Sequence, residues 1–253
     1  MAGIPIKVNI DTAKFRKRME AVQRQVPFAT AVALTKTAQD VQAELKREVS
    51  RVFDRPTPFT LASLRVKPAT KQRLIARVYF RDEAGDGIPP AVYLQREVEG
   101  GVRRPKRFEK ALARKLGLPA GLYAMPGKSV QLDAYGNVPR SLIVKVLAQL
   151  GAMHDTAQNQ TARSKQRLRR TQARKGIRGQ NYFLGRPGNG LPLAVYERIR
   201  TGFGSAVRPV FVFVDAPHYE KRLDYYGIAE RVQSREFEGW FDRALTDAMA
   251  TAR

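Results

Sequence analysis

The residues in this chain whose types and spacing could do chemistry are cations. Between residues 161 and 178 stand Arg163, Lys165, Arg167, Arg169, Arg170, Arg174, Lys175 and Arg178, with Leu168 and Ile177 the only large apolar side chains among them. No acidic residue occurs from Thr156 to Tyr196. Such a segment neutralises phosphates by charge and gives salt-dependent, sequence-independent affinity. Its eight cations are enough to reach about as many phosphates. Aromatic residues do not interleave with them, so base stacking is not indicated. No helix-turn-helix or zinc-finger pattern is found, so no sequence readout is expected. The partner of this segment is either nucleic acid or an acidic face of a neighbouring protein.

Other chemistry is not indicated, and the chain is not expected to be an enzyme or to carry a cofactor. The two histidines, His154 and His218, have no second His or Cys at ligand spacing, so no zinc site is expected. Asp82, Glu83 and Asp86 cluster in a glycine loop, where solvation of the loop is the simpler reading than metal-dependent cleavage. Asp133-Ala-Tyr-Gly-Asn137 resembles half of a calcium loop, but without a closing Glu it reads as a tight turn. Gly185-Arg-Pro-Gly-Asn-Gly lacks the Lys-Ser/Thr of a phosphate loop and also reads as a turn.

Composition points the same way. The 253 residues hold 46 Lys plus Arg against 23 Asp plus Glu, a formal net charge of +23, and no Cys. Self-repulsion on that scale destabilises a compact body unless a counter-charge is present. Nucleic acid, anionic lipid or an acidic protein surface could supply it. Disulfides and thiolate metal sites are excluded. The start, Met1-Ala-Gly-Ile-Pro-Ile-Lys-Val, lacks signal-peptide features. No window approaches the roughly 20 apolar residues of a membrane span, so a soluble protein is expected.

The elements that would position the cations follow from periodicity. Phe15, Met19, Val22 and Val26 mark an amphipathic helix over 12–25, which Pro27 should interrupt. Leu34, Ala38, Val41, Leu45, Val49 and Val52 mark a second over 28–53. Residues 64–67 and 71–80 alternate apolar and basic around Pro68-Ala-Thr70, which predicts a hairpin with a basic outer face. Its inner face should hold Leu74, Ala76, Val78 and Phe80. Helices are expected over 91–99, 105–116 and 142–150, with 119–140 irregular. The basic segment cannot bury a core and should be a solvated arm or extended loop until it meets an anion. Asn181 to Gly185 and Leu193 to Ile199 read as strands, and Val207 to Val214 as a strand buried on both faces. Asp215 with Pro217 predicts a helix start, and Ser234 a cap on a closing helix over about 234–250. The expected fold is α+β: N-terminal amphipathic helices, a small mostly antiparallel sheet, a long basic insertion and a C-terminal strand and helix. Residues 1–81 would form the helices and hairpin of a core domain. Residues 82–152 would be an inserted helical and loop region, 153–180 a flexible basic arm, and 181–253 the strands and helix that complete the core.

This order of elements resembles a known group. Val26-Pro-x-Ala29-x-Ala31 and Leu34-x-Lys-Thr-Ala38 head a helix, and a basic centre follows. Tyr196-Glu197-Arg198, Arg208-Pro-Val-Phe-Val-Phe and a closing helix with Ala229-Glu-Arg231 and Phe237 end the chain. The arrangement is similar to phage minor tail protein Z, the tail-completion (neck) family of long-tailed phages, over residues 13–80 and 181–250. Phe53-Asp-Arg-Pro-Thr-Pro-Phe-Thr60, Lys67-Pro-Ala-Thr-Lys71 and Tyr123-Ala-Met-Pro-Gly127 also resemble stretches of prophage proteins from that neighbourhood. The resemblance implies a structural virion protein at the head-to-tail interface, assembled in the bacterial cytoplasm. It implies portal or connector proteins on one side and tail terminator or tail tube proteins on the other, with genomic DNA in the channel. It also implies a homo-oligomeric ring of six- or twelve-fold symmetry, and no catalytic residues. The readings that compete with it are a stand-alone, sequence-independent nucleic-acid-binding protein and a DNA-processing enzyme using the 82–86 carboxylates.

Overall fold

Small side chains repeat along the first helix, α1 (Thr12–Val52), and let a second long helix, α7 (Tyr225–Thr251), lie close against it. Ala29, Ala31, Ala33 and Ala38 are buried on α1, and Ala244 and Ala248 on α7. The computed structural model describes residues 12–83, 87–119, 121–174, 181–202 and 204–251. It is an α+β fold in two compact units, residues 1–98 with 221–253 and residues 99–220.

The first unit is built on the α1–α7 pair. Val41 and Leu45 on α1 meet Ile228 and Val232 on α7, and Leu64 closes the cluster. Trp240 Nε1 donates to Asp40 Oδ2 across the pair at 2.6 Å. A short helix α2 (Pro58–Leu61) leads into β1 (Leu64–Lys67) and β2 (Arg77–Phe80), an antiparallel hairpin. Val78 and Phe80 face the core, and the Tyr225 hydroxyl donates to the Val78 carbonyl at 2.6 Å. Helix α3 (Pro90–Glu99) follows, and Glu97 O accepts the N–H groups of Arg222 and Leu223, both at 2.9 Å.

Four expectations change here. Pro27 does not interrupt α1, which runs through it. Its fixed φ is itself helical and the helical patterns on either side continue one another, so the helix carries the missing donor and the ring's crowding of the Gln23 carbonyl at this one position. The closing helix starts at Tyr225, not near 234, and Ser234 lies inside it. Asp224 caps it, taking the Gly227 N–H on Oδ1 at 3.1 Å. No helix starts at Asp215 and Pro217, since His218–Tyr219 pairs as a strand. Finally, the second hairpin strand begins only at Arg77, and Leu74 is exposed rather than inward-facing.

The second unit holds a four-stranded antiparallel sheet in the order β4 (Tyr123–Pro126), β7 (Gly204–Val214), β6 (Ala194–Thr201), β5 (Tyr182–Gly185). Val210 and Phe211 of β7 are fully buried because β7 is central, with helices α4 (Arg107–Leu116) and α5 (Arg140–Leu150) supplying Leu112 and Val146 to the same core. Strand β4 lies in the stretch expected to be irregular; its glycine and proline neighbours hide a pairing that β7 supplies. Two residues, β3 (Gly101–Val102), pair with β8 (His218–Tyr219). The strands after residue 181 therefore belong with the insertion, whereas the sequence grouped them with the N-terminal core.

Candidate nucleic-acid interface

The basic segment is a helix, α6 (Ala162–Arg174), not an extended arm. Thr161 starts it by accepting the Ser164 N–H on its hydroxyl at 3.2 Å and the Lys165 N–H on its carbonyl at 2.9 Å. Just before it, Gln160 N donates to Ala148 O of α5 at 3.1 Å, which ties the helix entry to the body of the unit. Lys165 and Leu168 are half-buried and Gln172 is buried, and these three lie on one helical face. They dock beside Gln149 of α5 and Asn181 around a cavity of about 10 Å³. One apolar and one amide side chain are thus enough to seat a helix that has no core of its own. That is the signal which composition alone concealed.

The opposite face carries the cations. Arg163, Arg167, Arg170 and Arg174 are spaced four, three and four and are all exposed. At about 100° per residue they fall within roughly 60° of one another, pointing away from Leu168 and Gln172. With a rise of 1.5 Å per residue the stripe is about 16 Å long. Arg169 is exposed on its flank. Lys175 and Arg178 lie outside the described residues. None of the described cations of α6 makes an ion pair with a described carboxylate.

Three other cations of this unit are engaged within it. Arg103 holds the buried carboxylate of Glu109 through two hydrogen bonds of 2.6 and 2.7 Å. Arg208 pairs with Glu197 at 2.7 Å, and Arg198 lies over the Phe183 ring at 4.3 Å. Burial, then the Glu197 charge beside it, push the Tyr182 hydroxyl up to about 12. Arg107, Lys110 and Arg114 on α4 are also exposed without an ion-pair partner among the described residues, and what sets α6 apart is that its arginines stand in one line.

The residues considered for other chemistry are scattered. His154 and His218 are exposed, and His218 sits in β8. Asp155 takes the Ala157 N–H at 2.9 Å, and Asp133 takes those of Tyr135 and Asn137 at 2.9 and 2.8 Å, closing a turn. Asp86 lies outside the described residues. Among the described residues no three of His, Asp and Glu stand close enough to share a metal ion, and no helix is long and apolar enough to cross a membrane.

No protein-family model, curated protein or solved structure matches this chain.

Proposed function

We propose that this chain is a structural virion protein of the phage head-to-tail interface. In this reading it is a tail-completion or neck component that joins the connector to the tail around the DNA path. The observation that carries the proposal is the α6 arginine stripe, four cations in line on a docked helix with no carboxylate partner among the described residues. A protein beside a DNA channel needs cations without sequence preference, and contacts to phosphates position without reading bases. The element order adds support: a long N-terminal helix, a small sheet, a basic centre and a closing strand and helix, as in the tail-completion family that the sequence resembles. Its neighbours would be portal or connector proteins and the tail terminator or tube. Subunits would close into a six- or twelve-fold ring through head-to-tail contacts. The role is assembly rather than catalysis, and the protein would reside in the neck of the virion.

The stripe also favours a second reading, a sequence-independent nucleic-acid-binding protein that acts outside any particle. One experiment separates the two. Particles produced without the gene should accumulate as unjoined heads and tails, and mass spectrometry should find the chain in purified wild-type virions. Normal, joined, infectious particles in its absence overturn the assembly reading. A chain absent from virions that still retards duplex DNA at low salt leaves the second.

A further inference from the structure

The β1–β2 hairpin carries a second positive surface, and it lies in the other unit. From Arg55 to Arg81 there are seven cations and no acidic residue. Three of them are engaged locally, Lys71 over the Phe28 ring among them. Arg55 pairs with Asp54 at 3.0 Å, and Arg81 donates to the Glu83 carbonyl and lies over the Phe59 ring at 5.1 Å. The other four are Arg65, Lys67, Arg73 and Arg77, all exposed, and none has an ion-pair partner among the described residues.

Strand alternation sorts these side chains. Leu64 is buried and Val66, Val78 and Phe80 are half-buried, while Arg65, Lys67, Arg77 and Tyr79 stand on the opposite face. The register sets Lys67 directly opposite Arg77 and Arg65 opposite Tyr79. Like charges directly opposite on a strand pair destabilise it. Guarding an exposed edge requires a charge, but not charges of one sign facing each other. Elsewhere on the same unit two neighbouring surface cations are offset, Arg47 by Glu44 at 3.0 Å and Arg51 by Glu48 at 2.6 Å. Those four on the hairpin are not.

The platform is also held in place. Thr70 and Arg73 exchange backbone hydrogen bonds of 2.9 and 3.1 Å at the tip, and Ala69 N donates to Thr35 Oγ1 on α1 at 3.1 Å. Gln42 Nε2 donates to the Leu64 carbonyl at 2.7 Å, and the Lys71 ammonium lies 4.9 Å from the Phe28 ring centroid. A fixed ribbon needs little ordering when it binds, so less of its interaction energy is lost.

We infer that the outer face of the β1–β2 hairpin is a second nucleic-acid contact, one that grips the backbone of duplex DNA without reading its sequence. The major groove of duplex DNA admits a two-stranded ribbon. Phosphates on either side of it are the counter-charge that relieves the Lys67–Arg77 opposition. Tyr79 is the one aromatic on this face, too few for the run of stacked bases that single strands require.

The test uses the full chain and a labelled random-sequence duplex, read by fluorescence anisotropy across a salt series. The first variant carries Arg163→Gln, Arg167→Gln, Arg170→Gln and Arg174→Gln, and should still bind duplex. Adding Arg65→Gln, Lys67→Gln, Arg73→Gln and Arg77→Gln to it should lower the slope of log affinity against log salt by about 3 to 4. Binding should weaken about tenfold or more at intermediate salt. The thermal midpoint should hold or rise, because an opposition of like charges has been removed. Should that variant unfold, Lys67→Gln alone decides, with an expected slope change of about 1. An unchanged slope overturns the inference, and so does equal competition by single-stranded DNA or polyglutamate. Because the hairpin is read on a background without the α6 stripe, its failure is distinct from that of the neck proposal, on which it does not rest.

Discussion

Glu109 shows how far a single residue's role can depart from its surroundings in sequence. It sits among Lys106, Arg107, Lys110 and Arg114, yet its side chain is 1% exposed. Burial pushes its carboxyl up. The Arg103 hydrogen bonds and the Lys106 and Ala124 N–H groups outweigh that and hold it below the usual carboxylate range. Replacing it with Ala would leave the mostly buried Arg103 guanidinium and two backbone donors without partners. We expect a loss of about 3–5 kcal/mol in urea unfolding at neutral pH. The sign of its pH dependence follows from the lowered value. The stabilisation is complete above the unfolded carboxyl pKa, about 4.3, and is lost as pH falls through the folded value. Glu109→Ala should therefore flatten the acid limb of stability against pH. An unaltered limb would place the acid sensitivity elsewhere. Nothing in a one-dimensional reading marks Glu109, because what buries it are Arg103 and β4, brought together only by the fold. The α6 arginines are the opposite case. Their identity was plain in sequence, and their four-three-four spacing would have shown them as one helical face had low apolar content not argued for an arm.

Elements were legible where their partner was local. The alternation of residues 64–67 and 77–80 and the stripe of Ala38, Val41, Leu45 and Val49 on α1 survive in the structure, since each encodes a face buried by a neighbour, whereas Phe15, Met19 and Leu74 are exposed. The break expected at Pro27 did not survive, because local propensity was weighed without the continuity of the helix around it. That yields a prediction. Proline in a helix interior is about 3 kcal/mol less favourable than alanine, so Pro27→Ala should slow amide exchange over residues 12–26. The thermal midpoint should rise by less, since residues 12–20 are exposed and contribute little to the core. Exchange unchanged across that segment would mean the proline costs the helix nothing. Helix α6 has the reverse weakness. Arg163–Arg167 and Arg170–Arg174 are like-charge pairs four apart, each costing about 0.2–0.5 kcal/mol. Its amides should become more protected as salt screens them, and more protected still when a short duplex is added at low salt. Protection independent of both would show that the stripe is not under electrostatic load.

At the scale of the whole molecule, the sequence revealed an insertion but not its ends. The unit boundaries fall at 98 and 220, where Glu97 O accepts from Arg222 and Leu223 and so brings the chain back to where it left. Strand β7 looked like the centre of a sheet in the sequence. Its actual neighbours, β4 and β6, place that sheet within residues 99–220, and only pairing partners distant in sequence could reveal this. Each unit has its own apolar cluster, Val41, Leu45, Leu64, Ile228 and Val232 in one, and Leu112, Val146, Val195 and Phe211 among those in the other. Each should then fold alone. Residues 1–98 joined to 221–253 by a short Gly-Ser linker replacing 99–220 should keep the α1–α7 pair, because the carbonyl of Glu97 already sets the join. Residues 99–220 alone should unfold cooperatively on heating, monitored by circular dichroism. Both should gain stability as salt screens their excess positive charge. A 99–220 fragment without a cooperative transition would mean that its sheet depends on the helical unit, and the chain would then be one folding unit despite its two cores.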